Sequence, residues 1–185
     1  MDVSGKIKEL LKNLDSIDVH SLDPLGETHL MSACRLDADA AIDLLIKKGA
    51  DVNYYNEKSI GGPATALMCA AETNAVKTIQ LLIENKVEID AKHKVNGMTA
   101  LMFAAKNNAK EGLSILIESE ANMETKTFGL IGPGQTALVF AIKESNKEIA
   151  DFLIKKGAKA KPLRAVDRKK IPIPMIKWLK SKGAL

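Results

Sequence analysis

Aromatic residues are scarce in this chain: four Phe, two Tyr and one Trp among 185 residues, or 4%. A core made without them must come from small and aliphatic side chains, which suits helices packed at close range. Cysteine is nearly absent too. Cys34 and Cys69 stand in no Cys-x-x-Cys or Cys/His spacing, so a metal site has no support, and both read as buried thiols compatible with a reducing compartment. No apolar run approaches the roughly 20 residues of a membrane span. The start, Met1-Asp2-Val3-Ser4, lacks a basic segment followed by an apolar stretch, so no secretory leader is expected. A cytoplasmic location is the default expectation, with a periplasmic or secreted one open if a leader has been removed. Disorder is excluded by the 46% hydrophobic content.

Catalytic patterns are missing as well. His20, His29 and His93 share no ligand spacing, and there is no Gly-x-Ser-x-Gly. The glycine-rich stretch Gly129–Gly134 lacks the lysine and the preceding strand of a phosphate loop. Neither an enzymatic activity nor a cofactor is expected.

Against these absences stands one repeated stretch. Asn96-Gly97-Met98-Thr99-Ala100-Leu101-Met102-Phe103-Ala104-Ala105 has counterparts around Thr28, Thr65 and Thr136, at spacings of 37, 34 and 37. The aliphatic pairs Leu44-Leu45, Leu81-Leu82, Ile115-Leu116 and Phe152-Leu153 recur with the same spacings. Self-similarity at such a period marks a stacked-repeat architecture. In each unit the threonine is placed to cap a helix of about two turns, too short to be stable alone. A break follows at Asp37, Asn74, Asn108 and Ser145. A second helix then ends at Gly49 in the first unit and Gly157 in the fourth, glycines suited to a left-handed stop. Residues 4–14, with Ile7, Leu10, Leu11 and Leu14 on one stripe and Ser4 as N-cap, predict a one-sided helical cap. Pro172 or Pro174 is placed to start a final helix closing the other end, preceded by a short segment at Leu163-Arg164-Ala165-Val166.

The unit resembles the ankyrin repeat. Asp23-Pro24-Leu25-Gly26-Glu27-Thr28 is similar to that family's opening, and Leu44-Leu45-Ile46-Lys47-Lys48-Gly49-Ala50-Asp51-Val52-Asn53 to its close. The resemblance implies an all-α solenoid of four full repeats between two helical caps. The boundaries are 1–22 for the N-cap, 23–53, 54–90, 91–124 and 125–160 for the repeats, and 161–185 for the C-cap. Departures are informative. The family's Thr-Pro-Leu-His is here Thr-Ala-Leu-Met or a variant, so stacking rests on Met31, Met68, Met102 and Val139 rather than on a linking histidine. Lys86 and Glu120 replace the stop glycine in repeats two and three. The connections 56–64 and 127–135 are each three residues longer than the equivalent one before repeat three, and inserted lengths fall on the face that carries loops. Packed at helix spacings, two such fingers stand roughly 20 Å apart.

Family membership further implies a protein-binding surface made of turn tips and the exposed side of each first helix. Carried over by position, the turn residues are Leu25, Glu27, Tyr54, Tyr55, Ile60, Lys94, Val95, Met98, Phe128, Leu130 and Ile131. The helix residues are Arg35, Leu36, Glu72, Thr73, Lys106, Asn107, Lys143 and Glu144. The tyrosines and Phe128 are aromatic anchors on predicted turns, or else props packed against the neighbouring turn. Charge offers a second reading. Lys155 to Lys182 holds eleven basic residues and one acid, a net of +10, leaving −6 of the overall +4 for the rest. Such an end suits a solvated cap, or a tether to an acidic protein, nucleic acid or anionic membrane surface; the lysines are not interleaved with aromatics, which does not favour nucleic acid. The expectation is a monomeric, non-catalytic binding module.

Overall fold

A computed structural model describes residues 16, 18–59, 62–129, 132–159 and 171–182. The N-cap helix expected over 4–14 and the segment at 163–166 lie outside the described residues. Nine helices occur among those described: α1 (His29–Arg35), α2 (Asp39–Lys47), α3 (Ala66–Thr73), α4 (Val76–Glu84), α5 (Ala100–Lys106), α6 (Lys110–Glu118), α7 (Ala137–Lys143), α8 (Lys147–Lys155) and α9 (Ile173–Ser181). The first eight form four hairpin pairs. Inner helices α1, α3, α5 and α7 stack in one layer, and outer helices α2, α4 and α6 stack in a second. Among the described residues the connections are turns rather than strands, with one isolated β-bridge, Leu22 to Thr28, just before α1.

Small side chains explain the close stacking. The inner helices present Leu30, Leu67, Leu101 and Leu138, together with Met31, Met68, Met102 and Val139, all buried. Ala33, Cys34, Ala70, Ala71, Ala104 and Ala105 complete that layer, and both cysteines are free thiols. From the outer helices, the second member of each aliphatic pair (Leu45, Leu82, Leu116, Leu153) is fully buried. Burying one such leucine stabilises by about 1.5–3 kcal/mol. At Gly112 the outer helices come so near that an added Cβ would lie 2.7 Å from Ile79 Cδ1.

The helix ends follow the expected chemistry, with one correction. Thr28 and Thr65 accept the backbone N–H of Met31 and Met68, at 3.1 and 3.2 Å. Thr99 and Thr136 hold the same extended N-cap backbone, yet their hydroxyls make no capping bond and are buried without a partner. At Thr99 the turn tightens, so Met102 N–H bonds the Thr99 carbonyl at 3.0 Å instead of the hydroxyl.

The first helices are followed by left-handed residues at Asp37, Asn74, Asn108 and Ser145, and the second helices by Gly49, Lys86, Glu120 and Gly157. After each second helix, the left-handed N–H bonds the carbonyl three residues back, and the following N–H bonds the carbonyl five back, as in Lys86 to Ile83 and Val87 to Leu82. The loop side chains reach the next unit. Asp37 Oδ1 accepts from Thr78 Oγ1 at 2.8 Å, and Asn74 Oδ1 accepts from Gly112 N at 2.9 Å. Pro172 is the N-cap of α9, with Pro174 in its first turn.

Candidate functional site

Fingers project between successive repeats and are tied to one another in order. At the base, Asn53 Oδ1 accepts from Glu88 N at 2.7 Å, Asp90 Oδ1 from Asn122 N at 3.0 Å, and Glu124 Oε1 from Lys159 N at 2.8 Å. Higher up, Asn56 Nδ2 donates to Leu25 O at 3.1 Å, Lys94 N donates to the Tyr55 hydroxyl at 2.7 Å, and Phe128 N donates to Asn96 O at 3.0 Å. These bonds set the four turns in a row. Both longer fingers close on themselves, through Asn56 N to Ala64 O at 2.8 Å and Thr127 N to Gln135 O at 2.9 Å.

At the tips, Leu25 is 70% exposed, Val95 53% and Phe128 45%. Phe128 is held in position: its ring lies against Gly97, where an added Cβ would sit 2.6 Å from Cδ1. Glycine is needed there twice over, since φ is +72°. Tyr55 is engaged by the neighbouring finger. Its hydroxyl takes the Lys94 N–H, its ring meets His93 edge-on with centroids 6.2 Å apart, and Lys94 Nζ lies 4.6 Å above it. Lys94 also pairs with Glu57. Tyr54 is half-buried against the core. Ile60, Leu130 and Ile131 lie outside the described residues. Met98 is corrected: it is 2% exposed, because its backbone closes the turn onto His93 and Asn96 and draws the side chain into the core.

His93 is the residue that sequence reasoning passed over. Fully buried, it accepts Val95 N–H on Nδ1 at 3.1 Å, so its proton sits on Nε2, 3.4 Å from Ser59 Oγ in the preceding finger. Burial, opposed by the Ser59 bond, holds the imidazole below its usual pKa. The available signal was its place beside the Asn-Gly turn, inside a finger rather than a ligand spacing.

On the inner-helix side, Arg35 joins two repeats, pairing with Glu27 and, at 3.1 Å, with Glu72. Leu36 is half-buried, whereas Thr73, Lys106, Asn107 and Glu144 are exposed. Lys143 donates to Gln135 Oε1 at 2.9 Å. Arg35 also lies 3.6 Å from Cys69 Sγ, but burial pushes the Cys69 thiol up to about 12 and Cys34 well above its usual value, which disfavours the thiolate at both. No group of His, Cys, Asp and Glu suited to a metal ion occurs among the described residues. No helix among them is long and apolar enough to cross a membrane.

At the basic end, Lys155 and Lys182 both pair with Asp151 at 2.7 Å, and Lys182 lies over the Trp178 ring. Residues 161–170, which hold five of the eleven basic residues, lie outside the described ones.

The profile of ankyrin repeats (three copies) matches residues 3–93 and 67–164. The chain belongs to the ankyrin repeat family, whose members generally serve as protein–protein interaction modules and are typically non-catalytic. No curated protein matches it significantly.

Proposed function

We propose that this protein is a non-catalytic, monomeric adaptor that binds a protein partner along its row of finger tips and the adjoining inner-helix side. The observation that carries this reading is the exposure of Leu25, Val95 and Phe128 on turns that are otherwise bonded to one another. Apolar side chains on pre-ordered backbone bind with little further loss of conformational freedom. Scattered exposed aliphatics need no explanation; apolar tips on the first, third and fourth fingers of one bonded row form a line that a partner can follow.

The test is affinity capture from the native host's lysate with wild type beside a Leu25→Asp/Val95→Asp variant. A protein retained in stoichiometric amount by wild type and lost from the variant supports the reading. Equal retention by both, stripped by salt, would instead place the working surface at the basic C-terminal end, the electrostatic tether of the second reading.

A further inference from the structure

We propose that the partner segment is acidic and carries apolar side chains, and that it seats on the third and fourth fingers around Val95 and Phe128. This rests on the protein-binding reading and adds the partner's chemistry and its place along the row.

Charge is distributed unevenly along the finger face. The first two fingers are mixed, with Asp23, Glu27 and Glu57 beside Lys58. Residues 91–98 and 125–135 contain no acid at all, and they carry Lys92, Lys94 and Lys126. Lys92 and Lys126 are exposed and have no ion-pair partner among the described residues, whereas Lys94 pairs with Glu57. Lys106 adds a further exposed cation on the inner helix of the third repeat.

The two apolar tips inside this cationic field form one platform. Phe128 lies on Gly97 and is bonded to Asn96, the residue next to Val95, and a Cβ on Gly129 would sit 2.8 Å from the Val95 carbonyl oxygen. A neutral or basic segment would leave Lys92 and Lys126 unmatched, and a purely charged one would leave Val95 and Phe128 in water. Asp or Glu flanking an aliphatic or aromatic residue satisfies both. Opposite charges at the rim chiefly raise the rate of encounter and reject wrong partners, while the apolar contact holds the complex. A nucleic acid asks for cations along an extended track. Two unpaired lysines on the fingers that carry the two apolar tips match a short peptide instead.

The experiment selects a displayed library of short random peptides against the full chain. The enriched peptides are then synthesised and measured by fluorescence anisotropy against wild type, Val95→Asp, Lys126→Glu and Lys106→Ala. Both finger side chains are exposed, and unchanged melting curves for those variants verify their folding. The proposal expects enriched sequences with carboxylates flanking an apolar residue and binding weakened by salt. It expects a loss of about tenfold or more on Lys126→Glu, and loss of binding on Val95→Asp. Enriched peptides without an acidic excess, lost on Val95→Asp, overturn the acidic partner while leaving the protein-binding reading intact. Binding insensitive to both finger variants but lost on Lys106→Ala overturns the location. Failure to enrich any peptide, with single-stranded RNA or phosphatidylserine vesicles retained by the chain, overturns both.

Discussion

Lys86 and Glu120 stand where the first and fourth repeats have Gly49 and Gly157, and all four adopt left-handed backbone, with φ of +61°, +67°, +89° and +97°. A residue with a Cβ loses roughly 1–2 kcal/mol in that conformation. Replacing it by glycine removes that cost but adds about 0.5–1 kcal/mol of backbone entropy lost on folding. Lys86 and Glu120 are exposed and make no ion pair among the described residues, so little contact is forfeited. Each change should therefore stabilise by about 0.5–1 kcal/mol, and the pair by about 1–2 kcal/mol if they act independently. For a chain of this size, about 1 kcal/mol moves Tm by about 2–4 °C. Lys86→Gly/Glu120→Gly should thus melt higher by about 2–8 °C in a calorimetric or circular-dichroism scan. The mirror experiment is Gly49→Ala and Gly157→Ala. Nothing lies within 4 Å of a Cβ at either glycine, so any loss there comes from backbone conformation alone. If the glycine-adding variants fail to rise, or the alanine variants fail to fall, left-handed strain is not what distinguishes these stops.

Other consequences can be checked in the same way. The lowered pKa of His93 means the unfolded chain binds more protons below about pH 6.5. Its contribution is complete above that value and is lost as pH falls towards the folded pKa. The urea midpoint should drop between about pH 7.5 and about pH 5, and His93→Gln should flatten that slope; an identical slope in the variant refutes the assignment. Gly97→Ala should cost about 2–4 kcal/mol from left-handed strain plus the clash with Phe128, and in a Phe128→Ala background only the strain should remain, readable in a double-mutant cycle. Thr28→Ala and Thr65→Ala should each lose about 1 kcal/mol of capping. Thr99→Val and Thr136→Val should be neutral or stabilising by chemical denaturation, because those hydroxyls are buried without partners.

The all-α repeat architecture and the capped start of each first helix were legible from the chain alone, because each depends on local chemistry that recurs at the same spacing. A threonine before an apolar run, small residues five and six positions later, and an aliphatic pair whose second member is buried define a unit whatever its neighbours are. Even the left-handed stops at Lys86 and Glu120 could be read, since their alignment with Gly49 and Gly157 predicts the backbone they adopt. The proposed interaction surface rests on family position alone, and packing sorted its candidates. Met98 went into the core, and Tyr55 became a prop between fingers. Arg35, Glu27 and Glu72 were tied into one network. The buried imidazole of His93 and the ring of Phe128 over Gly97 both arise from contacts between residues about 30 to 40 positions apart, brought together by stacking. Periodicity encodes which atoms recur. Only the stacked structure decides which of them meet a neighbouring repeat and which remain facing water, because that depends on distances across repeats that no single repeat contains.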